Sequence, residues 1–320
     1  MADSHRPPSF LARYEYAIGG IAGGLASTVV CHPMDLLIIR YSANEGSSIR
    51  PQYSSYFDAV KKITKAQGVR GLYQGLSPNV VGATVSWGAY FQIYHWMRSR
   101  MLSFSTSTSS SSSSSLSPSS SHSTAPSQAA EHFSSFTCAF LSGAGVMCVT
   151  NPIWMAKTRL CLQYEHSSAS RRYSGMIDCL QKIAREEGIR GLYKGFVAGV
   201  IGASQGAVQM MLYSHFKDSR CRALGQPLDS KLSTSSYLFF STLSKVIACT
   251  VTYPYQVIRT RMQDHNAAYR GFLQTVSHTM KGEGISGLYK GLLMANIRTL
   301  PATVITFLTY EEVRYLVRTL

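Results

Sequence analysis

Long apolar stretches alternate with short polar ones along this chain, yet no stretch is an unbroken run of 18 apolar residues. Polar and glycine positions interrupt every candidate span, the pattern expected when one face of a helix looks into water and the rest into lipid. Six spans emerge: Tyr14–Tyr41, Leu76–Met101, His132–Leu162, Phe196–Phe216, Ser233–Gln263 and Leu292–Val317. At 1.5 Å per residue, a span of about 28 residues is about 42 Å long and crosses a ~30 Å hydrocarbon core at a tilt. Within each pair a shorter amphipathic helix is expected. Tyr56, Phe57, Val60 and Ile63 form its stripe in the first pair, and Met176, Ile177, Leu180 and Ile183 repeat it in the second. Such helices lie on a membrane surface.

The pattern occurs three times. The odd-numbered spans read His32-Pro33-Met34-Asp35, Asn151-Pro152-Ile153-Trp154 and Tyr253-Pro254-Tyr255-Gln256, with Arg40, Arg159 and Arg261 each seven residues past the proline. A proline inside a helix removes a backbone hydrogen bond and bends the axis. Lipid tolerates that bend only where protein or a water-filled cavity satisfies the freed carbonyl. A second block, Gly68-Val69-Arg70-Gly71-Leu72-Tyr73-Gln74-Gly75, returns over Gly188–Gly195 and Gly284–Gly291, and its last glycine stands 22 residues past Tyr53, Tyr173 and Tyr269 respectively. A period of roughly a hundred residues suits a two-helix membrane unit plus a loop rather than a solenoid. The expected fold is an all-α membrane protein: six tilted transmembrane helices in a threefold pseudosymmetric bundle around a cavity, with three short amphipathic helices on one side. The 320 residues then form one domain, with repeats over 14–102, 132–222 and 233–320 and a Ser/Thr-rich linker over 103–128 too polar to fold.

Helix packing follows the same period. Residues 13 and 9 before each proline are Gly20/Gly24, Ala139/Gly143 and Ser241/Lys245. Small residues four apart let membrane helices approach closely. Lys245 breaks the rule, and an ionisable residue in mid-span marks a functional position.

Composition narrows the class further. Charged residues make up only 15% of the chain, against roughly 25% in soluble domains, which favours a membrane protein. The formal net charge of +15 calls for anionic partners. Lys and Arg sit near span ends and in loops rather than in one stripe, a distribution that fits phospholipid head groups and argues against nucleic acid. The seven cysteines form no CxxC pair and no zinc spacing, so they read as buried thiols and no metal is expected. Met1–Arg13 lacks the apolar core of a secretory signal. Neither a Walker loop nor HExxH is present, so an enzyme is not expected.

Two motifs recur in degenerate form: a proline with an acidic residue two on in copy one (Asp35) and a basic residue five on in copies two and three (Lys157, Arg259), and, complete in copies two and three, an acidic residue and glycine followed by aromatic, basic and glycine (Glu187–Gly195, Glu283–Gly291). Together they resemble the mitochondrial carrier family, over everything but the N-terminal tail and the serine linker. The resemblance implies a multi-pass protein of the mitochondrial inner membrane, with both termini toward the intermembrane space and the amphipathic helices in the matrix. It also implies a monomer in contact with inner-membrane lipid such as cardiolipin, a small anionic substrate, and no cofactor beyond the transported solute.

The family closes its matrix gate with ion pairs between successive copies. Carried over here, Asp35 pairs with Lys157, Trp154 faces Arg259, Gln256 faces Ile38, and Gln263 stands where the family has a bracing glutamine. On the cytosolic gate Glu311 is the surviving acid, with Arg98 as partner and Lys217 in the matching place of copy two. The implied substrate contact points are Gly82 with Ala83, Gly202 with Ala203, and Arg298, seven residues past the last glycine of each second block. Two glycines leave room for a flat ring, and an arginine offers a bidentate fork to carboxylate or phosphate. Trp87 lies close to the Gly82 face, where it stacks on such a ring or serves as plain packing. Tryptophan in place of the second acid, as at Trp154, marks a branch that carries pyrimidine nucleotides, NAD, FAD and folates. With Ser244-Lys245 and the run Thr252–Val257, the chain most resembles members that carry folate or FAD; an NAD or pyrimidine-nucleotide carrier is the alternative.

Overall fold

The structure, a computed structural model, describes residues 15–45, 51, 53–86, 88–89, 92–93, 96, 128–164, 172–225, 233–265 and 271–319. Residues 103–127 of the serine-rich linker lie outside the described residues, as do Trp87 and Arg98, and residue 128, expected in the linker, begins a helix. Among the described residues there is no strand. The helices are α1 (Glu15–Ala43), α2 (Tyr56–Gln67), α3 (76–86), α4 (Gln128–Cys161), α5 (Met176–Glu186), α6 (Gly188–Leu192), α7 (Phe196–Gly202), α8 (Ser204–Ala223), α9 (Thr234–Gln263), α10 (Phe272–Gly287) and α11 (Leu292–Thr319), with a 3-10 turn over Val69–Tyr73. The expected boundaries shift by a few residues: α4 starts at Gln128 rather than His132, and the fourth span is split at Ala203 into α7 and α8 and runs on to Ala223.

Among the described residues, three stretches are long and apolar enough to cross a membrane: Ile18–Ala43, Gly188–Ala223 and Leu292–Leu316. Helices α4 and α9 are as long, at 34 and 30 residues. All three proline helices run unbroken through Pro33, Pro152 and Pro254.

Helix α1 packs along α11, α9 along α7 and α8, and α4 against α7. The α1–α11 seam corrects the expected packing register. Among the described residues, Gly20 and Gly24 have nothing within 4 Å of an added Cβ, whereas one on Gly23 would lie 2.6 Å from the Thr306 carbonyl oxygen and one on Gly19 3.0 Å from the Tyr310 ring. Ser27, four residues further, donates to the Ala302 carbonyl across the same seam. The sequence holds two overlapping glycine pairs four apart, and only their position relative to α11 selects between them. In copy two the expected register holds at Gly143, where an added Cβ would touch Ala203 at 3.4 Å.

The motif glycines recur because the backbone needs them. Gly68, Gly188 and Gly284 have φ of 66°, 69° and 66°, and Gly75, Gly195 and Gly291 have φ of 79°, 78° and 90°. This left-handed region costs a residue with a Cβ roughly 1–2 kcal/mol.

The amphipathic helices bury a narrower face than the apolar stripes predict. Ala59 and Ile63 of α2, Cys179 and Ile183 of α5, and Thr275 and Thr279 of α10 are buried. Phe57 and Ile177, counted in the stripes, turn outward and are 89% and 66% exposed, as Leu273 is in copy three at 80%. Side chains that apolar on a surface helix suit contact with lipid. Two buried apolar clusters join the C-terminal halves of α1 and α4 to these surface helices, through Leu36, Ile39 and Ile63 in the first and Met155, Leu160 and Ile183 in the second; in the third, Tyr253 and Val257 of α9 pack on Tyr289, Leu292 and Ala295.

Candidate functional site

The C-terminal ends of α1, α4 and α9 meet in a closed cycle of hydrogen bonds. Arg40 Nε donates to the Cys161 carbonyl at 3.0 Å, Arg159 Nε to the Gln263 carbonyl at 3.1 Å, and Arg261 Nε to the Ser42 carbonyl at 3.1 Å. These are the arginines seven residues past each proline. The last carbonyls of a helix lack partners of their own and carry the negative end of its dipole, so a guanidinium is matched to them in both respects. All three arginines are buried, at 1–2% exposure, so each needs further partners. Arg159 pairs with Glu187 and donates to the Tyr173 hydroxyl; Arg261 pairs with Glu283 at 2.8 Å. Lys194 and Lys290 pair with the same two glutamates at 2.6 and 2.9 Å.

Burial alone would raise the Glu187 carboxyl, but the hydrogen bonds and charges of Arg159 and Lys194 outweigh it and hold the group at about 2, against an ordinary 4.5. Glu283 is held below its ordinary value in the same way, by Arg261 and Lys290. Copy one is built differently: Gln67 and Gln74 stand where the others have glutamate and lysine, and Arg40 donates to Gln74 Oε1 at 3.0 Å.

Above this cycle a cavity of about 290 Å³ opens between α1, α4, α8, α9 and α11. Five residues singled out in the sequence line it: Asp35, Lys157, Gln256, Lys245 and Arg298. Three cations thus face one carboxylate. Asp35 Oδ2 lies 3.2 Å from Lys157 Nζ, the pair expected at the matrix gate, and Asp35 Oδ1 lies 2.5 Å from Arg298 Nε. Arg298, expected as a lone cation awaiting the solute, therefore shares Asp35 with Lys157. The carboxylate also accepts from Asn79 Nδ2 at 3.2 Å. That amide reaches His32 Nδ1 at 3.1 Å, and His32 Nε2 lies 2.9 Å from the Gln74 carbonyl. The carbonyl can only accept, so His32 donates through Nε2 and accepts through Nδ1.

The other expected residues sit elsewhere. The space at Gly82 is occupied by Ile153 and Trp154, at 3.2 and 3.3 Å from an added Cβ. At Gly202 the Tyr255 ring takes the space, 2.2 Å from an added Cβ, and Ala203 packs on Gly143. In this conformation these glycines accept side chains of the neighbouring proline helix. Trp154 lies under Lys157, whose Nζ is 5.3 Å from its ring centroid. Arg259 packs on Gly195 and Gly199 and donates to Met147 Sδ at 3.8 Å; among the described residues no carboxylate pairs with it. Gln256 and Ile38 line the cavity together. Gln263 ties α9 to copy two, accepting from Thr158 Oγ1 at 2.7 Å and donating to the Lys194 carbonyl at 3.4 Å. Glu311 is exposed and Lys217 half-buried; Arg98, the expected partner of Glu311, is outside the described residues, and so is Trp87.

Gln205, Cys249 and Thr299 also line the cavity and were not singled out in the sequence. The available signal was spacing, since Cys249 stands one turn beyond Lys245 and Thr299 beside Arg298. Among the described residues no three His, Cys, Asp or Glu side chains come together as metal ligands.

A polar cavity lined by three proline helices, above an end they close together, is the feature the comparisons with known proteins must account for. The family profile described as mitochondrial carrier protein matches residues 11–105, 128–222 and 230–319, and the chain belongs to that family, whose members are transporters rather than enzymes. It is 35% identical over 317 residues, 96% of each chain, to folate transporter 1, chloroplastic, of Arabidopsis thaliana. It is 28% identical to the mitochondrial FAD carrier protein of Saccharomyces cerevisiae, over 93% of this chain and 95% of that one. To nicotinamide adenine dinucleotide transporter 1, chloroplastic, of Arabidopsis thaliana it is 32% identical, over 99% of this chain and 96% of the other.

Proposed function

We propose that the chain carries tetrahydrofolate, FAD or both across the mitochondrial inner membrane by alternating access. The observation that carries this reading is the cavity, where Lys157, Lys245 and Arg298 face a single Asp35. That surplus of positive charge suits a carboxylate or phosphate, and the neutral amides of Gln205 and Gln256 on the same wall suit a heterocycle. Relatives named for folate and for FAD transport point to the same solutes.

In this reading six tilted helices form a threefold pseudosymmetric bundle, the arginine cycle closes the matrix side, and both termini face the intermembrane space. The outward Phe57, Ile177 and Leu273 rest on inner-membrane lipid, cardiolipin included, and the carrier works as a monomer. No cofactor is required beyond the solute itself. Arg298 takes the anionic group of the solute in exchange for Asp35, and Trp154 shapes the entry to the Gly82 face.

Uptake of labelled tetrahydrofolate and FAD into liposomes holding the purified protein tests this. Saturable uptake of either, lost in Arg298→Ala, is the expected result. Removing a charge-assisted contact costs roughly 1.5–3 kcal/mol, so affinity falls about tenfold or more. Parental transport by Arg298→Ala overturns the role of Arg298. Relatives named for NAD transport favour a second reading, an NAD or pyrimidine-nucleotide carrier, and uptake of those solutes alone would select it.

A further inference from the structure

The cavity has a neutral wall as well as a cationic one. Gln205, in the first turn of α8, lines it beside Arg298, Lys157 and Lys245. Its Oε1 accepts a hydrogen bond from the Tyr255 hydroxyl at 3.1 Å. Tyr255 is itself wedged against Gly202, where an added Cβ would lie 2.2 Å from ring Cε2 and 2.5 Å from Cζ. The absent side chain at Gly202 thus makes the seat for the ring, and the ring fixes the hydroxyl. A carboxamide offers one acceptor oxygen and one donor nitrogen. With the oxygen held by Tyr255, the amino group is what Gln205 presents to the cavity.

We infer that Gln205 is a specificity-determining residue of the transport site: its amide N–H donates to a ring carbonyl of the solute, and Tyr255 and Gly202 are positioning groups that keep it facing that way. The inference rests on reading the cavity as the site for a heterocyclic anion. A fixed donor selects among such anions. Pterin and flavin rings carry a carbonyl on their pyrimidine portion, and adenine carries none. An adenine ring in the same pose sets its exocyclic amino group, a donor, against the amide N–H, and offering a ring nitrogen instead turns the ring out of that pose; a site built to hydrogen-bond one group discriminates against analogues that present another there. Arg298 answers the anionic group of every such solute alike, so charge alone cannot make this choice.

The test uses the full chain in liposomes, with tetrahydrofolate uptake measured against FMN and AMP as competitors. Both competitors are phosphate monoesters, and they differ in the ring. Gln205→Ala removes the donor, Gln205→Glu replaces it with an acceptor, and Tyr255→Phe keeps the ring but frees the amide to turn. Loss of one hydrogen bond to a neutral partner gives roughly a three- to tenfold rise in KM, and the preference for FMN over AMP shrinks by a similar factor. Tyr255→Phe narrows the preference with a smaller rise. Unchanged KM and an unchanged competitor ratio in Gln205→Ala overturn the inference. If the wild-type protein takes up no tetrahydrofolate, the proposed function fails instead. Thermal-shift titration of wild-type and variant protein with FMN and AMP then decides the role of Gln205 separately: a preference that vanishes in the variant supports it, and an equal preference in both overturns it. Should Gln205→Ala fail to fold, Tyr255→Phe carries the same two readouts.

Discussion

At the scale of single residues, Asp35 is the pivot of the cavity because it answers two cations. Removing Lys157 leaves the carboxylate with Arg298, whereas removing Asp35 leaves two cations facing each other in a largely buried space. An uncompensated buried charge costs roughly 3–5 kcal/mol, more than deleting both partners. Asp35→Ala is therefore expected to lose about 3 kcal/mol of stability in detergent, and Lys157→Ala clearly less. The double change should be milder than the sum of the two, with coupling above ~0.5 kcal/mol. Equal single-variant losses with no coupling would mean the side chains do not share a carboxylate. The Asp35–Lys157 contact was legible from the motif spacing alone. That of Asp35 with Arg298 was not, because it joins residues 263 positions apart through the packing of α11 on α1. The places of Gly82 and Gly202 escaped the sequence for a related reason. A glycine marks room, and only the neighbouring helix decides what fills it.

At the scale of elements, the α1–α11 seam and the arginine clusters each make a prediction. Gly23→Ala puts a methyl group 2.6 Å from a backbone oxygen and must push the helices apart, at a cost of about 1–3 kcal/mol. Gly24→Ala meets nothing and should be neutral or stabilising by up to ~1 kcal/mol. Melting temperatures of the two variants in detergent check the register, and a reversed order would restore the Gly20/Gly24 seam. In copy two, Glu187→Gln strands the buried Arg159 and should cost about 3 kcal/mol. Adding Lys194→Gln reproduces the Gln67/Gln74 arrangement of copy one and should recover part of that loss, as read by the same melts. The pH dependence has a definite sign. Because the Glu187 carboxyl sits at about 2 in the folded chain against an ordinary 4.5, its contribution is full above about 4.5 and fades as pH falls toward 2. The stability gap between wild type and Glu187→Gln should close over that window. Sequence periodicity announced these elements but overstated the buried stripes. Phe57 and Ile177 are apolar because of what lies outside the protein, and a count of apolar positions does not distinguish inside from outside in a membrane.

At the scale of the whole molecule, the period of the sequence gives the number of copies and their order, while the way they hold one another had to be seen. The linker, expected over 103–128 and ending at 127, before α4 begins, adds only a logarithmic closure cost, so its shortening to several residues should leave insertion and uptake intact; loss of uptake at normal expression would assign it a role. The arginine cycle carries a consequence for how the protein is made. Copy one donates to copy two, copy two to copy three, and copy three back to copy one, so the loop has no first member. Synthesis, however, does have a first member. While copy three is still on the ribosome, Arg159 lacks the Gln263 carbonyl and Ser42 lacks its donor, and the earliest helix waits for one of the last to be made. The order of synthesis should then be interchangeable. A circular permutant that begins at Gln128, ends at residue 102 and joins 319 to 15 by a short bridge, near where Gly19 already meets Tyr310, should close the same loop and take up the same solute. A chain that stops after copy two should be degraded before it is ever a smaller carrier.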